Sequence, residues 1–153
     1  MEKRDIKGGD FTWGERIQLG KILADAEAPE MTKALNIIEC LHGKDHPPIY
    51  TLADYIEEIA EGLAFWVQQE QTLYLEHSAE EMEAGYKQFS EAVGEMASII
   101  NVAKCYGKCP DEVLEWKYPT IFMHLKVEVE SEKFNRRLQK VYEKKQKYAS
   151  KKR

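Results

Sequence analysis

Cys105 and Cys109, spaced C-x3-C, are the residues whose types best suit a metal. Zinc takes four soft or borderline ligands in a tetrahedron, usually as two compact pairs. His42 and His46, with Cys40 close by, could supply the second pair. Against this, Cys105 falls at a helix end and Cys109 in an N-cap position before Pro110. The reading adopted is thiols without metal, and neither metal nor cofactor is expected. Paired carboxylates are plentiful: Glu57, Glu58 and Glu61, then Glu80, Glu81 and Glu83. General acid-base work needs two carboxyls in a cleft with separated pKa values. These fall instead on polar helix faces or in a first turn, where acids favour the helix dipole. The Glu-x-x-His spacing on matched helices of a ferritin-type di-metal site is missing, since Ile121 precedes His124 by three and Tyr74 precedes His77 by three. No phosphate loop and no nucleophile elbow is present. The chain reads as non-enzymatic.

What remains is binding. Aromatic residues dominate interface hot spots, and two groups stand out, Phe65-Trp66 and Trp116 with Tyr118 and Phe122. Helical spacing assigns Trp66 to the core. Trp116 lies in a short helix between two breaks, a place suited to an exposed anchor. Trp116, Tyr118 and Phe122 are therefore expected at a partner-binding surface, together with Lys133, Arg136, Arg137, Lys140, Lys144 and Lys145. The net charge of -5 over 153 residues conceals a division. Residues 133–153 carry ten bases against Glu143 alone, or +9, and the preceding 132 residues carry -14. A basic end of this kind docks on phosphate or on an acidic protein surface. DNA readers usually have a basic body as well, so an acidic protein partner, including a second copy of this chain, is the expectation. Nucleic acid is the less favoured partner.

The elements that must position these residues are helical. Thr12 with Glu15 forms a capping box, which predicts a helix over about 13–26. Pro29 opens a second helix, where Met31, Leu35, Ile38 and Leu41 form one apolar stripe that ends at Gly43. The segment KDHPPIY is a connector. Thr51 with Asp54 starts a third helix with a broad face that includes Ile59, Leu63, Trp66 and Glu70. Gly62 is its weak spot, costing about 1 kcal/mol relative to alanine. Ser78 with Glu81 opens a fourth helix to about Tyr106, with Met82, Tyr86, Phe89, Val93, Met96 and Ile99-Ile100 expected toward the core. PDEVLEWK forms a short helix that breaks before Pro119, and a final helix runs from about Thr120 beyond Tyr142. Val127, Phe134 and Val141 recur every seven residues, with Leu138 beside them, which predicts a coiled-coil-like distal arm. KVEVE at 126–130 alternates like a strand, but its flanks are helical.

The fold expected is all-α, an irregular bundle of about five to six helices with a long C-terminal helix. Residues 1–11 are expected as a flexible N-terminal arm, 12–132 as the helical domain, and 133–153 as a basic helix and tail. Apolar runs are too short to span a membrane. The N-terminus lacks a signal-peptide core, and three cysteines suit a reducing compartment. A soluble, cytoplasmic protein is expected.

Two stretches carry a resemblance. FTWGERIQLGKIL at 11–23 and PDEVLEWKYPTIFMHLKVEVESEKFNRRLQKV at 110–141 resemble small helical tail assembly chaperones of phages and prophages. The resemblance implies a virion-morphogenesis factor, absent from the mature particle and active in the bacterial host cytoplasm. Such a factor binds the hydrophobic tape-measure protein and keeps it from aggregating while the tail tube polymerises. It implies no catalytic residues. A nucleic-acid-associated regulator using the basic C-terminal helix is the alternative.

Overall fold

The structure, a computed structural model, describes residue 6 and residues 8–43 and 52–151. Local capping sets where its first helix begins. Thr12 Oγ1 accepts from the Glu15 amide at 3.2 Å, and the Glu15 carboxylate accepts from the Thr12 amide at 2.8 Å. Two backbone donors at the helix start are thereby satisfied, and α1 runs Trp13–Ala24. Helix α2, Glu30–His42, follows Pro29 and stops at Gly43. Its expected apolar stripe is only half covered. Ile37 and Ile38 are buried, whereas Met31 and Leu35 are exposed; α1 packs against this helix. The connector KDHPPIY and the helix-opening Thr51 lie outside the described residues.

Helix α3, Leu52–Glu70, runs on into a 3-10 turn at Gln71–Leu73. Ile59, Leu63 and Trp66 line its buried side. A methyl group added at Gly62 would collide with the Ile6 carbonyl oxygen and stand 3.2 Å from the Phe11 ring. The sign of the expected alanine effect is therefore reversed. Gly62→Ala should destabilise the protein by about 1–3 kcal/mol instead of improving the helix, and denaturant unfolding of the two proteins measures this.

That close approach also corrects the expected flexible arm. Ile6 and Phe11 are buried, and the Trp66 indole N–H donates to the Gly9 carbonyl at 2.8 Å. Thr12 forms an antiparallel bridge with Lys117. In it the Tyr118 amide donates to Phe11 O at 2.8 Å and the Trp13 amide to Trp116 O at 2.9 Å. Of the described part of 1–11, Ile6 and Phe11 belong to the core.

The stretch expected as one helix from Ser78 to Tyr106 is three: α4 Ala79–Glu83, α5 Tyr86–Val93 and α6 Met96–Tyr106. Gly85 (φ 90°) and Gly94 (φ 50°) stand at the breaks, in a region that side chains disfavour and glycine does not. The divided segment cannot present one face, so Met82, Phe89, Met96 and Ile100 are exposed and Ile99 alone of that stripe is buried. Two extra breaks turn the expected five or six helices into eight α-helices among the described residues.

Helix α7 is Pro110–Leu114 and α8 is Tyr118–Lys151, 34 residues or about 51 Å of continuous helix. Pro119 does not precede α8 but sits in its first turn, where the missing N–H has no intrahelical partner to lose. Residues 126–130 lie within this helix, and no strand occurs among the described residues. The 132/133 boundary falls inside α8 and marks no structural division. One core joins Phe11, Leu19, Ile37, Ile59, Val102, Val113 and Ile121. No helix among the described residues is long and apolar enough to cross a membrane.

Candidate functional site

Of the expected partner-binding aromatics, Tyr118 and Phe122 are core residues and Trp116 is half-buried. Pairing of 117–118 with 11–12 rolls the start of α8 inward. There the Trp66 ring meets Tyr118 edge-on at 4.9 Å and Phe122 at 5.3 Å. The Tyr118 hydroxyl donates to Glu70 Oε1 at 2.6 Å. Arg16 grips the same carboxylate with Nε at 2.9 Å and Nη2 at 2.6 Å. Burial and the neighbouring Glu70 carboxylate push the Tyr118 phenol well above its ordinary value. This triad joins α1, α3 and α8. Its signal in the sequence is Glu70 on an otherwise apolar helix face.

The basic residues divide into two sets. Arg136 is committed within the chain: it donates to Glu132 at 2.8 Å, to the Glu76 carbonyl at 2.6 Å and to Glu81 at 3.0 Å. Lys133 pairs with Glu130 at 2.9 Å. An open cleft of 1130 Å³ lies between residues 74–81 and this stretch of α8, and Arg136, Arg137 and Lys140 line it. Glu81 is the carboxylate of the α4 capping box and also meets His77 at 3.5 Å. The Ser78 amide, then Arg136 and His77, hold Glu81 below the usual carboxylate value, with desolvation opposing them.

A group lowered in the folded state stabilises it at pH values above its unfolded pKa. That contribution is lost as pH falls through the lowered value. Acidification should therefore break the Arg136–Glu81 contact and weaken the α4 capping box. Arg136→Ala should raise the midpoint of a Glu81 carboxyl titration followed by NMR, and an unchanged midpoint would remove Arg136 from the account.

Beyond that clamp, every residue from Arg137 to Ala149 is exposed, Lys140, Lys144 and Lys145 among them. The seven-residue series stays exposed along α8 and gains a fourth member. Val127 is 61% exposed, Phe134 54%, Val141 47% and Tyr148 72%. Leu138 lies between Phe134 and Val141, and Met123 one turn before Val127, both also exposed. Residues seven apart on a helix drift by only about 20° per repeat, so these side chains form one apolar seam. It is a different face from the one that buries Tyr118, Ile121 and Phe122.

The other candidates are dispersed. Cys40 Sγ donates to Gln18 at 3.3 Å, His42 Nε2 lies 2.6 Å from the Tyr55 hydroxyl, and His46 is outside the described residues. The exposed Cys109 is the N-cap of α7, its amide donating to Glu112 at 2.9 Å. Cys105 instead faces His124 and Glu128. Glu57, Glu58, Glu61, Glu80 and Glu83 are exposed, and of these Glu80 alone lines the cleft beside α8. Compared with family models, curated proteins and solved structures, the chain matches none of them.

Proposed function

We propose that this chain is a non-enzymatic helix-binding protein whose working surface is the seam of α8. The observation that carries the reading is the exposure of Val127, Phe134, Val141 and Tyr148 at heptad spacing. Coiled-coil partners dock on such a seam by inserting knobs into its holes, and exposed apolar series of this kind mark interaction sites. Charge favours an antiparallel partner. Laid antiparallel on a second copy, Phe134 comes level with Val141 and Val127 with Tyr148. Glu130 of one copy then stands beside Lys144 and Lys145 of the other. Parallel pairing would set the two basic ends side by side.

A tail-assembly-chaperone role in a bacterial host cytoplasm is the specific form proposed. A self-associated store of seams would exchange its partner helix for amphipathic helices of a tape-measure-type client. An all-α body and an exposed apolar seam support this, as does the acidic charge of residues 1–132. Co-expression with the tape-measure protein of the same phage or prophage tests it. A soluble complex that Phe134→Asp abolishes is the expected result. A client that stays insoluble beside the wild-type chain would falsify the chaperone role. Steeply salt-dependent binding to duplex DNA would replace it with the regulator reading.

A further inference from the structure

Helices α6 and α8 face each other with two i,i+4 pairs, Asn101 with Cys105 and His124 with Glu128. One ligand atom from each of Cys105, His124 and Glu128 lies within 4.8 Å of the others. An ion at the centre of such a triangle stands no more than about 2.8 Å from each corner, against zinc bonds of about 2.0–2.3 Å. Small side-chain rotations close that gap. We propose that Cys105, His124 and Glu128 bind a zinc ion, with water in the fourth place. The inference does not depend on the helix-binding role.

A second observation points to the same ion. His124 Nε2 is buried and has no hydrogen-bond partner among the described residues. Glu128 Oε1 is 3.4 Å away, but the two atoms are not in hydrogen-bonding geometry. Buried polar atoms are rarely left unpartnered, and a cation between the imidazole and the carboxylate would satisfy both. The outer contacts have the form that metal sites require. Tyr106 OH lies 3.4 Å from His124 Nδ1, which leaves Nε2 as the coordinating nitrogen. Asn101 Nδ2 donates to Glu128 Oε1 at 2.6 Å and aims that carboxylate.

The ligand chemistry chooses the metal. One thiolate, one imidazole and one carboxylate form a mixed set of borderline character, which suits zinc. Calcium and magnesium take oxygen ligands and have no use for Cys105. Cys105 is exposed and gives the ion an entry, and its thiol proton leaves to solvent as the sulfur coordinates. Bound zinc would staple α6 to α8 at the root of the exposed arm.

Cobalt titration of the reduced, full-length chain provides the test, because a thiolate on cobalt gives a near-ultraviolet charge-transfer band. One equivalent should bind with that band and with the visible bands of a four-coordinate ion, and one equivalent of zinc should displace it. Cys105→Ala should abolish the band, while Cys109→Ala and Cys40→Ala leave it unchanged. Asn101→Ala should weaken binding by about 10–100-fold, with unchanged circular dichroism as the check on folding. Should His124→Gln unfold the chain, Glu128→Gln, altering a partly exposed side chain, serves in its place and should also weaken binding. A missing band, or one that depends on Cys109 or survives Cys105→Ala, would overturn the proposal.

Discussion

Trp66→Ala is expected to destabilise the protein by about 3–5 kcal/mol, the largest effect of any single truncation considered. The indole touches Phe65, Tyr118 and Phe122, and its N–H holds the Gly9 carbonyl. Removing it opens a cavity between α3 and α8 and releases the segment before α1. Two readouts should move together. Denaturant unfolding should shift to lower concentration, and amide exchange should accelerate at Phe11 and Tyr118, whose backbones pair. Trp66→Phe fills much of the volume but loses the hydrogen bond, and should cost clearly less. If Trp66→Ala left both readouts where they were, the packing of α8 on α3 described above would be wrong.

Glu70→Ala should cost about 3 kcal/mol, for a different reason. The carboxylate accepts from Arg16 twice and from Tyr118 once. Side-chain exposure of 14% for Arg16 and 27% for Glu70 leaves the pair largely sheltered from water. Deleting one partner strands a guanidinium that has lost most of its hydration. Replacing both is expected to hurt less than the sum. The double variant Arg16→Met, Glu70→Met should recover much of the loss, and a double-mutant cycle measures the coupling directly. Full additivity of the two single changes would show that the ion pair contributes nothing to the join between α1, α3 and α8.

The contrast between these sites and the arm of α8 shows what the sequence could reveal. Helix starts were legible where one residue answers another three places on, as at Thr12 with Glu15 and Ser78 with Glu81. The series Val127, Phe134, Val141 was legible for a similar reason, since heptad spacing is a property of one helix. Glu70 could be placed on a buried face, yet its partners lie 54 and 48 residues away, and spacing along the chain carries no trace of them. The same distance problem hid the packing of Ile6 and Phe11. Gly8-Gly9 looks like a floppy terminus until Trp66 is brought against Gly9. Between Met82 and Met96 the apolar spacing was real, but periodicity reports that a helix is amphipathic and not what covers it. Two left-handed glycines broke the face into pieces. Tyr118 and Phe122 failed as surface anchors because the Thr12–Lys117 bridge turns them inward. For the proposed metal ligands, the C-x3-C spacing drew attention to Cys109, whereas Cys105 faces His124 and Glu128. The pair it faces, His124 and Glu128, lies on one turn of α8 and is visible in the sequence only once α6 is known to lie beside it.

What α8 does with its exposed seam is the central question, and the oligomeric state of the full chain answers it most directly. Sedimentation equilibrium should find the wild-type protein as a dimer. Phe134→Asp and Val141→Asp should each give monomers whose helical circular dichroism is unchanged, since both side chains lie outside the core. Deleting residues 133–153 should also give a monomer, with the helical signal lowered by the helix removed. A wild-type chain that stays monomeric at high concentration, or a dimer indifferent to all three changes, would contradict the account and leave the distal part of α8 as a solvated helix end.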